Sequence, residues 1–283
     1  MKNSMIVLIL LGLVSAREGL AAQAHKEKCT WFTNHKPYGY CVTKTVGSTN
    51  PDILYYMHGA GQNQRAWLKH KTMIWKVWED RGIDAPTVVT FSFGPIWLMA
   101  EKNKAKASGL FEFVADKLMP KVEAKLGGLK GRRLVVGESM GGFNAIQLAM
   151  KRPEYFSRIA ILCPDITSLQ PYSSWKEIKE FMTDTGTGFV HTFWEIVMER
   201  IFFAHDGSWN HAAPLIAGQE LLGPQTPPLY VSYGMQDQFG FFPGARAFAE
   251  LAQSKGVNVQ YEAVTGRHCS FDSQGVAQFL VSQ

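Results

Sequence analysis

The chain has 283 residues, of which 46% are hydrophobic and 19% charged, and its formal net charge is +5. This composition, without charge blocks or low-complexity tracts, is that of a folded globular protein and excludes a disordered chain. Nucleic-acid binding would need a basic stripe or a recognisable binding module, and the scattered lysines and arginines form neither, so no nucleic-acid partner is predicted.

The N-terminal segment has the features of a secretory signal. Lys2 precedes an apolar run over 5–14, and small residues suited to signal peptidase follow between Ala16 and Ala24. The run is about ten residues, short of the roughly 20 that a membrane-spanning helix needs. We therefore predict a cleaved signal peptide over 1–24, with the cleavage position open, and a secreted or periplasmic protein without stable membrane insertion.

Strand and helix patterns alternate along most of the remaining chain. Strands are predicted over 40–46, in an opening antiparallel hairpin, and over 52–57, 87–93, 133–136, 159–163, 228–234 and 257–264. Helices are predicted over 67–78, 108–126, 143–151, 242–255 and 271–281. Alternation from Asp52 onward indicates an α/β fold with a mostly parallel sheet and helices on both faces.

The alternation breaks between Asp165 and Thr226, where the chain is rich in Trp, Phe and Met. We interpret 165–226 as a cap inserted into a single domain that covers 25–283. Its aromatic residues are expected partly to form a small core and partly to face a cleft; they are Trp175, Phe181, Phe189, Phe193, Trp194, Phe202, Phe203 and Trp209.

Three histidines of this insertion, His191, His205 and His211, favour packing or surface positions over catalysis. A metal site at His205, Asp206 and His211 would lack a further ligand at zinc spacing, so no metal is predicted.

Four cysteines form an even set, which is typical of proteins that fold in an oxidising compartment. Cys29 and Cys41 flank a short segment with turn residues, and we predict that they form a disulfide. Cys163 ends a predicted strand, and Cys269 directly follows His268. This second pair either forms a disulfide that ties the histidine loop to the sheet or remains as two buried free thiols, since pairing cannot be deduced from sequence alone.

A candidate nucleophile lies between the strand at 133–136 and the helix at 143–151. Gly137-Glu138-Ser139-Met140-Gly141 fits G-x-S-x-G, a sharp strand-to-helix turn that exposes the serine hydroxyl. The alternative for so short a pattern is an ordinary glycine-rich turn. Glu138 is expected to be buried and paired, with a structural rather than a catalytic role.

A serine hydroxyl needs a histidine to accept its proton, and the histidine needs an acid to orient it. Ser139, Asp237 and His268 each follow a predicted strand, and their order along the chain is serine, acid, histidine. Parallel strands bring such loops to one edge of the sheet, so we predict these three as a catalytic triad. Asp165, which also follows a strand, is the alternative acid.

Hydrolysis of an ester creates an oxyanion that needs two N–H donors. The amide of Met140, directly after the nucleophile, is one predicted donor. The second is expected from Ala60 or Gly61, in the glycine-rich loop after the strand at 52–57. His58, at the start of that loop, is expected to orient it rather than to transfer protons.

These motifs resemble the α/β-hydrolase superfamily, and within it the esterase branch that contains feruloyl and other carbohydrate esterases, esterase D-like enzymes and mycobacterial mycolyltransferases. The resemblance covers the chain from Tyr40 onward, apart from the cap. Tannase-type feruloyl esterases carry a cysteine directly before the serine, bridged to the cysteine after the histidine. Glu138 occupies that position here, so the bridge of that subtype cannot form.

The sequence therefore predicts a serine carboxylesterase that acts on small-molecule, carbohydrate or lipid esters without a cofactor. An acyltransferase with the same triad, and a catalytically silent protein that binds a lipid or partner in its cleft, are the alternatives. Oligomeric state and substrate remain open.

Overall fold

The structure, a computed structural model, describes residues 25–32, 38–94, 109–203 and 208–282. The predicted signal peptide over 1–24, and His205 and Asp206, lie outside these residues. No helix in the described ranges is long and apolar enough to cross a membrane.

An eight-stranded sheet forms the centre of the structure. Its strands are β1 (His25–Trp31), β2 (Gly39–Thr45), β3 (Ile53–Met57), β4 (Thr87–Ser92), β5 (Arg133–Glu138), β6 (Arg158–Leu162), β7 (Leu229–Gly234) and β8 (Val259–Val264). They lie in the order β1-β2-β4-β3-β5-β6-β7-β8. The β1–β2 and β2–β4 pairs are antiparallel and all other neighbours are parallel. The predicted α/β class with a mostly parallel sheet is confirmed.

Helices connect the strands, and several of them pack on the two faces of the sheet. They are α1 (Ala66–Asp80), α2 (Leu110–Glu112), α3 (Met119–Lys125), α4 (Met140–Lys151), α5 (Trp175–Thr185), α6 (Phe189–Phe203), α7 (Ser208–Ala212), α8 (Pro214–Leu221), α9 (Phe242–Ser254) and α10 (Ser273–Val281).

The helix predicted over 108–126 is not a regular α-helix. A π-helical segment, Phe113–Leu118, separates α2 from α3. Pro120 follows it and has no N–H to donate to the carbonyl group four residues earlier, so regular α-helical hydrogen bonding is interrupted there.

Successive side chains of β3 point to opposite faces of the sheet, so the core is divided into two clusters, one on each face. Tyr55 packs with one cluster of buried side chains, and Tyr56 packs with the other. The second cluster also contains the α1 residues Trp67, Trp75 and Trp78, which are almost completely buried. These tryptophans are therefore core residues, and β3 and β5 are held rigidly between two packed layers.

Two disulfides join elements of the sheet. Cys29 and Cys41 are directly opposite each other in the β1–β2 ladder, with Cα atoms 4.0 Å apart. Cys163, after β6, is bonded to Cys269, with Cα atoms 4.9 Å apart. The structure thus contains the predicted first disulfide and, of the two alternatives for the second pair, the bonded one.

Residues 165–226, here called the helical insertion, contain α5 to α8. Leu169, Phe181 and Ile196 form a separate small core within it. Trp209 is half-buried and packs against the main core. Four other aromatic side chains that we expected in a core or cleft are instead more than half exposed: Trp175, Phe189, Phe193 and Trp194.

Candidate active site

The G-x-S-x-G segment forms a sharp turn between β5 and α4. Ser139 has φ 56° and ψ −120°, a left-handed conformation that non-glycine residues rarely adopt. A Cβ atom on Gly137 would overlap the carbonyl oxygen of Gly141, and one on Gly141 would overlap the carbonyl oxygen of Met57. The two glycines are therefore required sterically, and the turn raises the serine side chain at the carboxyl edge of the sheet.

The structure brings together the three residues that the sequence order singled out. His268 Nε2 lies 2.9 Å from Ser139 Oγ, and His268 Nδ1 lies 2.7 Å from Asp237 Oδ2. Asp237 is 3% exposed, and its other carboxylate oxygen accepts a hydrogen bond of 2.8 Å from the backbone N–H of Phe239. With Nδ1–H donated to the aspartate, Nε2 is free to accept the serine proton.

Aromatic rings enclose the imidazole of His268. The Phe239 and Phe241 rings lie edge-on to it, with centroid distances of 4.8 Å and 5.5 Å. Its backbone N–H donates to Gln238 Oε1 at 3.1 Å. The ring is thus held on several sides, which limits the orientations that it can take.

The loops that carry the acid and the histidine are bonded to each other. The N–H of Met235 donates to the Val264 carbonyl at 2.9 Å, and the N–H of Gln236 donates to the Gly266 carbonyl at 2.8 Å. The disulfide between Cys163 and Cys269 then anchors the histidine loop to the end of β6. The relative positions of the three side chains are therefore set by backbone hydrogen bonds and by a disulfide.

The predicted oxyanion donors belong to the residue after the serine and to the loop after β3. Met140 is the first residue of α4, where backbone N–H groups have no partner within the helix. The loop with Ala60 and Gly61 follows β3, which is the neighbour of β5 in the sheet. Gly59, which the sequence argument did not single out, lies close to the nucleophile: a Cβ there would be 3.3 Å from the Ser139 Cβ. Its lack of a side chain lets the loop approach.

His58 is buried beneath this loop. Its Nδ1 donates to the carbonyl oxygen of Gly59 at 2.8 Å, and burial lowers its pKa, which favours the neutral ring. The contact supports the expected role of His58 in orienting the loop. Glu138 is buried and paired, as expected: it is 4% exposed and accepts a hydrogen bond of 2.6 Å from the Tyr56 hydroxyl.

Asp165, the alternative acid, occupies a different place. Its backbone N–H donates to the Ser139 carbonyl at 3.2 Å, while Nδ1 of His268 is engaged by Asp237. Burial raises the pKa of Asp165 to about 7; His268 opposes this shift and Asp237 adds to it. Asp165 is therefore an electrostatic neighbour of His268 and Asp237, and Asp237 is the carboxylate that is bonded to the histidine.

Two further carboxyls lie beside Asp165 and were missed in the sequence. Burial, with contributions from Asp165 and Asp237, raises the pKa of Glu195 to about 9. Burial and the negative charges of Asp165 and Glu195 raise the pKa of Glu199 well above its usual value. Both side chains come from α6, and two acids four residues apart in a largely apolar helix were the signal available in the sequence.

A cavity with a volume of about 1110 Å³ lies away from this site. It is lined by β1, β2 and α3 side chains, such as Lys28, Tyr40 and Lys125. The cavities next to the serine turn are small: one of about 20 Å³ borders His58 and Met140, and another of about 20 Å³ borders Asp165 and the two α6 carboxyls.

Solved structures share this architecture. A ferulic acid esterase matches with a TM-score of 0.63 and 14% identity, over 91% of this chain and 96% of that chain. Brefeldin A esterase, a bacterial homologue of human hormone sensitive lipase, matches with a TM-score of 0.63 and 19% identity, over 95% and 75%. A thermostable esterase from Pseudomonas putida gives 0.62 and 18%, over 88% and 75%. The fold is the α/β-hydrolase fold.

The family comparison is more specific. No curated protein sequence matches the chain significantly. The Esterase family model, whose description is "Putative esterase", matches residues 27–280. The match spans almost the whole chain and supports carboxylic ester hydrolysis of small-molecule substrates. The chain belongs to the Esterase family.

Proposed function

We propose that the protein is a serine carboxylesterase that works through an acyl-enzyme on Ser139. The observation that carries this proposal is the continuous row of hydrogen bonds from Ser139 through His268 to Asp237, with lengths of 2.9 Å and 2.7 Å. Such a row, on a turn that holds the serine in a strained conformation, has no evident structural purpose and fits nucleophilic catalysis.

The reaction follows from these positions. Ser139 Oγ attacks the ester carbonyl carbon while His268 Nε2 accepts the hydroxyl proton, and Asp237 stabilises the resulting imidazolium. The N–H groups of Met140 and of Ala60 or Gly61 bind the oxyanion. When the intermediate collapses, His268 gives its proton to the leaving alcohol. Water, activated by the same histidine, then releases the acid and restores the serine.

We also propose that the mature protein is secreted or periplasmic, and that 165–226 serves as a cap within a single domain. Two disulfides in the structure support an oxidising compartment. The position of Asp165, at the beginning of the insertion and bonded to the Ser139 backbone, supports a cap that borders the reacting serine.

Labelling with a fluorophosphonate tests the chemistry. Because the reagent reacts with activated serines, we expect one label per folded protein, located by peptide mass spectrometry at Ser139, and none in Ser139→Ala. Circular dichroism controls for folding of the variant. A folded wild-type protein that takes up no label would contradict the proposal and favour a silent binding protein.

Product analysis then separates hydrolysis from acyl transfer. We expect the free acid as the main product from a p-nitrophenyl ester in the presence of glycerol or a sugar. A dominant acylated glycerol or sugar would instead identify an acyltransferase with the same acyl-enzyme.

A further inference from the structure

A small cavity with three acidic side chains lies beside the proposed nucleophile. Asp165, Glu195 and Glu199 line it together with Phe143, Met198 and Trp209, and its volume is about 20 Å³. Below, this space is called the acidic cavity. Its walls come from the loop after β6, from α4 and from the helices α6 and α7 of the insertion, so it lies where the insertion meets the sheet edge.

The carboxyl of Glu199 is buried without a partner among the described residues. Glu199 is 6% exposed, and neither of its side-chain oxygens has a hydrogen-bond partner in that part of the chain. Burial of a carboxyl without a partner is costly and contributes nothing to stability. Because Glu199 lines the acidic cavity, its carboxyl suits a group that enters the cavity from outside and donates hydrogen bonds.

The surrounding charges favour a cation. The groups that act electrostatically on these carboxyls are Asp165, Glu195, Glu199, Asp237 and His268, and of these five only His268 can be positive. Within the described ranges, the nearest cationic residue along α6 is Arg200, and it donates to the Pro171 carbonyl at 2.6 Å instead. Of these five groups, only His268 would therefore repel a cation that enters the acidic cavity.

The dimensions select among cations. The cavity is small, with a volume of about 20 Å³, and this suits a primary ammonium with its three N–H donors. A metal ion is less well matched. Among the described residues, the sets of metal-ligating atoms that lie within 4.8 Å of one another do not include the carboxylates of this cavity.

We propose that the acidic cavity binds the primary ammonium group of an amine-bearing ester, with Glu199 and Glu195 as specificity-determining residues. This inference rests on the proposed esterase function, because the cavity adjoins the Ser139 turn through the hydrogen bond from Asp165 N–H to the Ser139 carbonyl. Trp209 and Phe143 provide apolar walls next to the carbon atom that carries the amine. The pKa of Glu195, raised to about 9, means that this carboxyl is largely protonated at neutral pH and ionises when the ammonium enters.

Calorimetric titration tests binding without any need for catalysis. The probes are n-hexylammonium and its neutral counterpart 1-hexanol, and the variants are Glu199→Gln and, as a matched control on exposed α5, Glu180→Gln. We expect wild type and Glu180→Gln to bind hexylammonium at least about tenfold more tightly than hexanol, and Glu199→Gln to lose this preference. Binding at pH 7 should also release protons, seen as a dependence of the measured heat on the buffer. Glu195→Gln gives a second test if Glu199→Gln fails to fold.

Equal affinities for the two probes, or hexylammonium binding that Glu199→Gln and Glu195→Gln leave unchanged, would overturn the inference. Hydrolysis of p-nitrophenyl 6-aminohexanoate and p-nitrophenyl heptanoate separates the two proposals. A preference for the amino ester in wild type that is reversed in Glu199→Gln supports both. Turnover of heptanoate without ammonium binding overturns this inference alone, and ammonium binding without turnover of either ester overturns the esterase function alone.

Discussion

The Ser139 turn and the helical insertion meet at the carboxyl edge of the sheet, and their side chains are packed very differently. In the turn, the carboxyl of Glu138 is buried and receives the Tyr56 hydroxyl. In the insertion, the carboxyl of Glu199 is buried and neither oxygen is paired with a described residue, while Trp194 is 57% exposed. The buried carboxyl of the turn has a hydrogen-bond partner within the protein. The insertion instead keeps polar and apolar groups available for contacts with other molecules.

Under the proposed function, the turn carries out the chemistry and the insertion recognises the substrate. The turn depends on backbone contacts, such as the close approach of Gly141 to the Met57 carbonyl, which leave little room for change. The insertion also presents exposed side chains on α5 and α6, such as Trp175 and Trp194, which can vary without disturbing the sheet. Under the proposed function, one mechanism can therefore be retained while the insertion changes the substrate that is accepted.

The largest effect is expected at the acid of the triad. Asp237→Asn should lower kcat by about 10⁴-fold, because the amide no longer holds the catalytically competent tautomer of His268. Asp165→Asn should lower kcat less than about tenfold, since Nδ1 of His268 bonds Asp237. Steady-state hydrolysis of p-nitrophenyl acetate by both variants measures the contrast. Equal losses would mean that the two aspartates share the role.

A smaller but substantial effect is expected on stability at the turn. Gly141→Ala places a methyl group against the Met57 carbonyl oxygen, and we expect it to destabilise the protein by about 3 kcal/mol or more. Gly188→Ala, in the insertion, meets no atom within 4 Å and should change stability by less than about 0.5 kcal/mol. Urea unfolding measures both, and similar values would contradict the contrast between the two regions.

The smallest effect is expected at the acidic cavity, and it depends on pH. The pKa of Asp165 is raised to about 7 and that of Glu195 to about 9, so between about pH 4 and these raised values the two carboxyls hold more protons in the folded protein than in the unfolded chain. Their contribution to stability should therefore fall as pH rises through this range.

Glu199→Gln removes one of the groups responsible, so we expect the variant to be about 1 kcal/mol more stable than wild type at pH 8 and to show a shallower dependence. Thermal unfolding between pH 5 and 9 measures this, with Glu180→Gln as the control. A wild-type protein that becomes more stable with rising pH would contradict the account of the cavity.

Features that depend on a local sequence pattern could be predicted from the sequence alone. The glycines around Ser139 and the order Ser139, Asp237, His268 are readable because parallel strands bring their following loops to one edge. The acidic cavity was not readable in this way. Glu195 and Glu199 approach Asp165 only through the packing of α6 against the sheet edge, and no local pattern specifies that packing.

Other differences between the predictions and the structure have similar causes. The close approach of Gly59 to Ser139 depends on the neighbouring positions of β3 and β5, which strand patterns alone do not specify. The exposure of Trp175 and Phe193 likewise depends on which face each helix of the insertion presents to the sheet, and aromatic content suggested more burial than the structure has.

Pre-steady-state hydrolysis of p-nitrophenyl acetate tests the central claim, an acyl-enzyme on Ser139, most directly. Rapid mixing should give a burst of about one equivalent of p-nitrophenol per protein, or, if deacylation is fast, acid quenching should trap the acetyl group on the peptide that contains Ser139. Ser139→Ala should show neither. A steady release without any trapped acyl group at Ser139, or a trapped acyl group at another residue, would contradict the account.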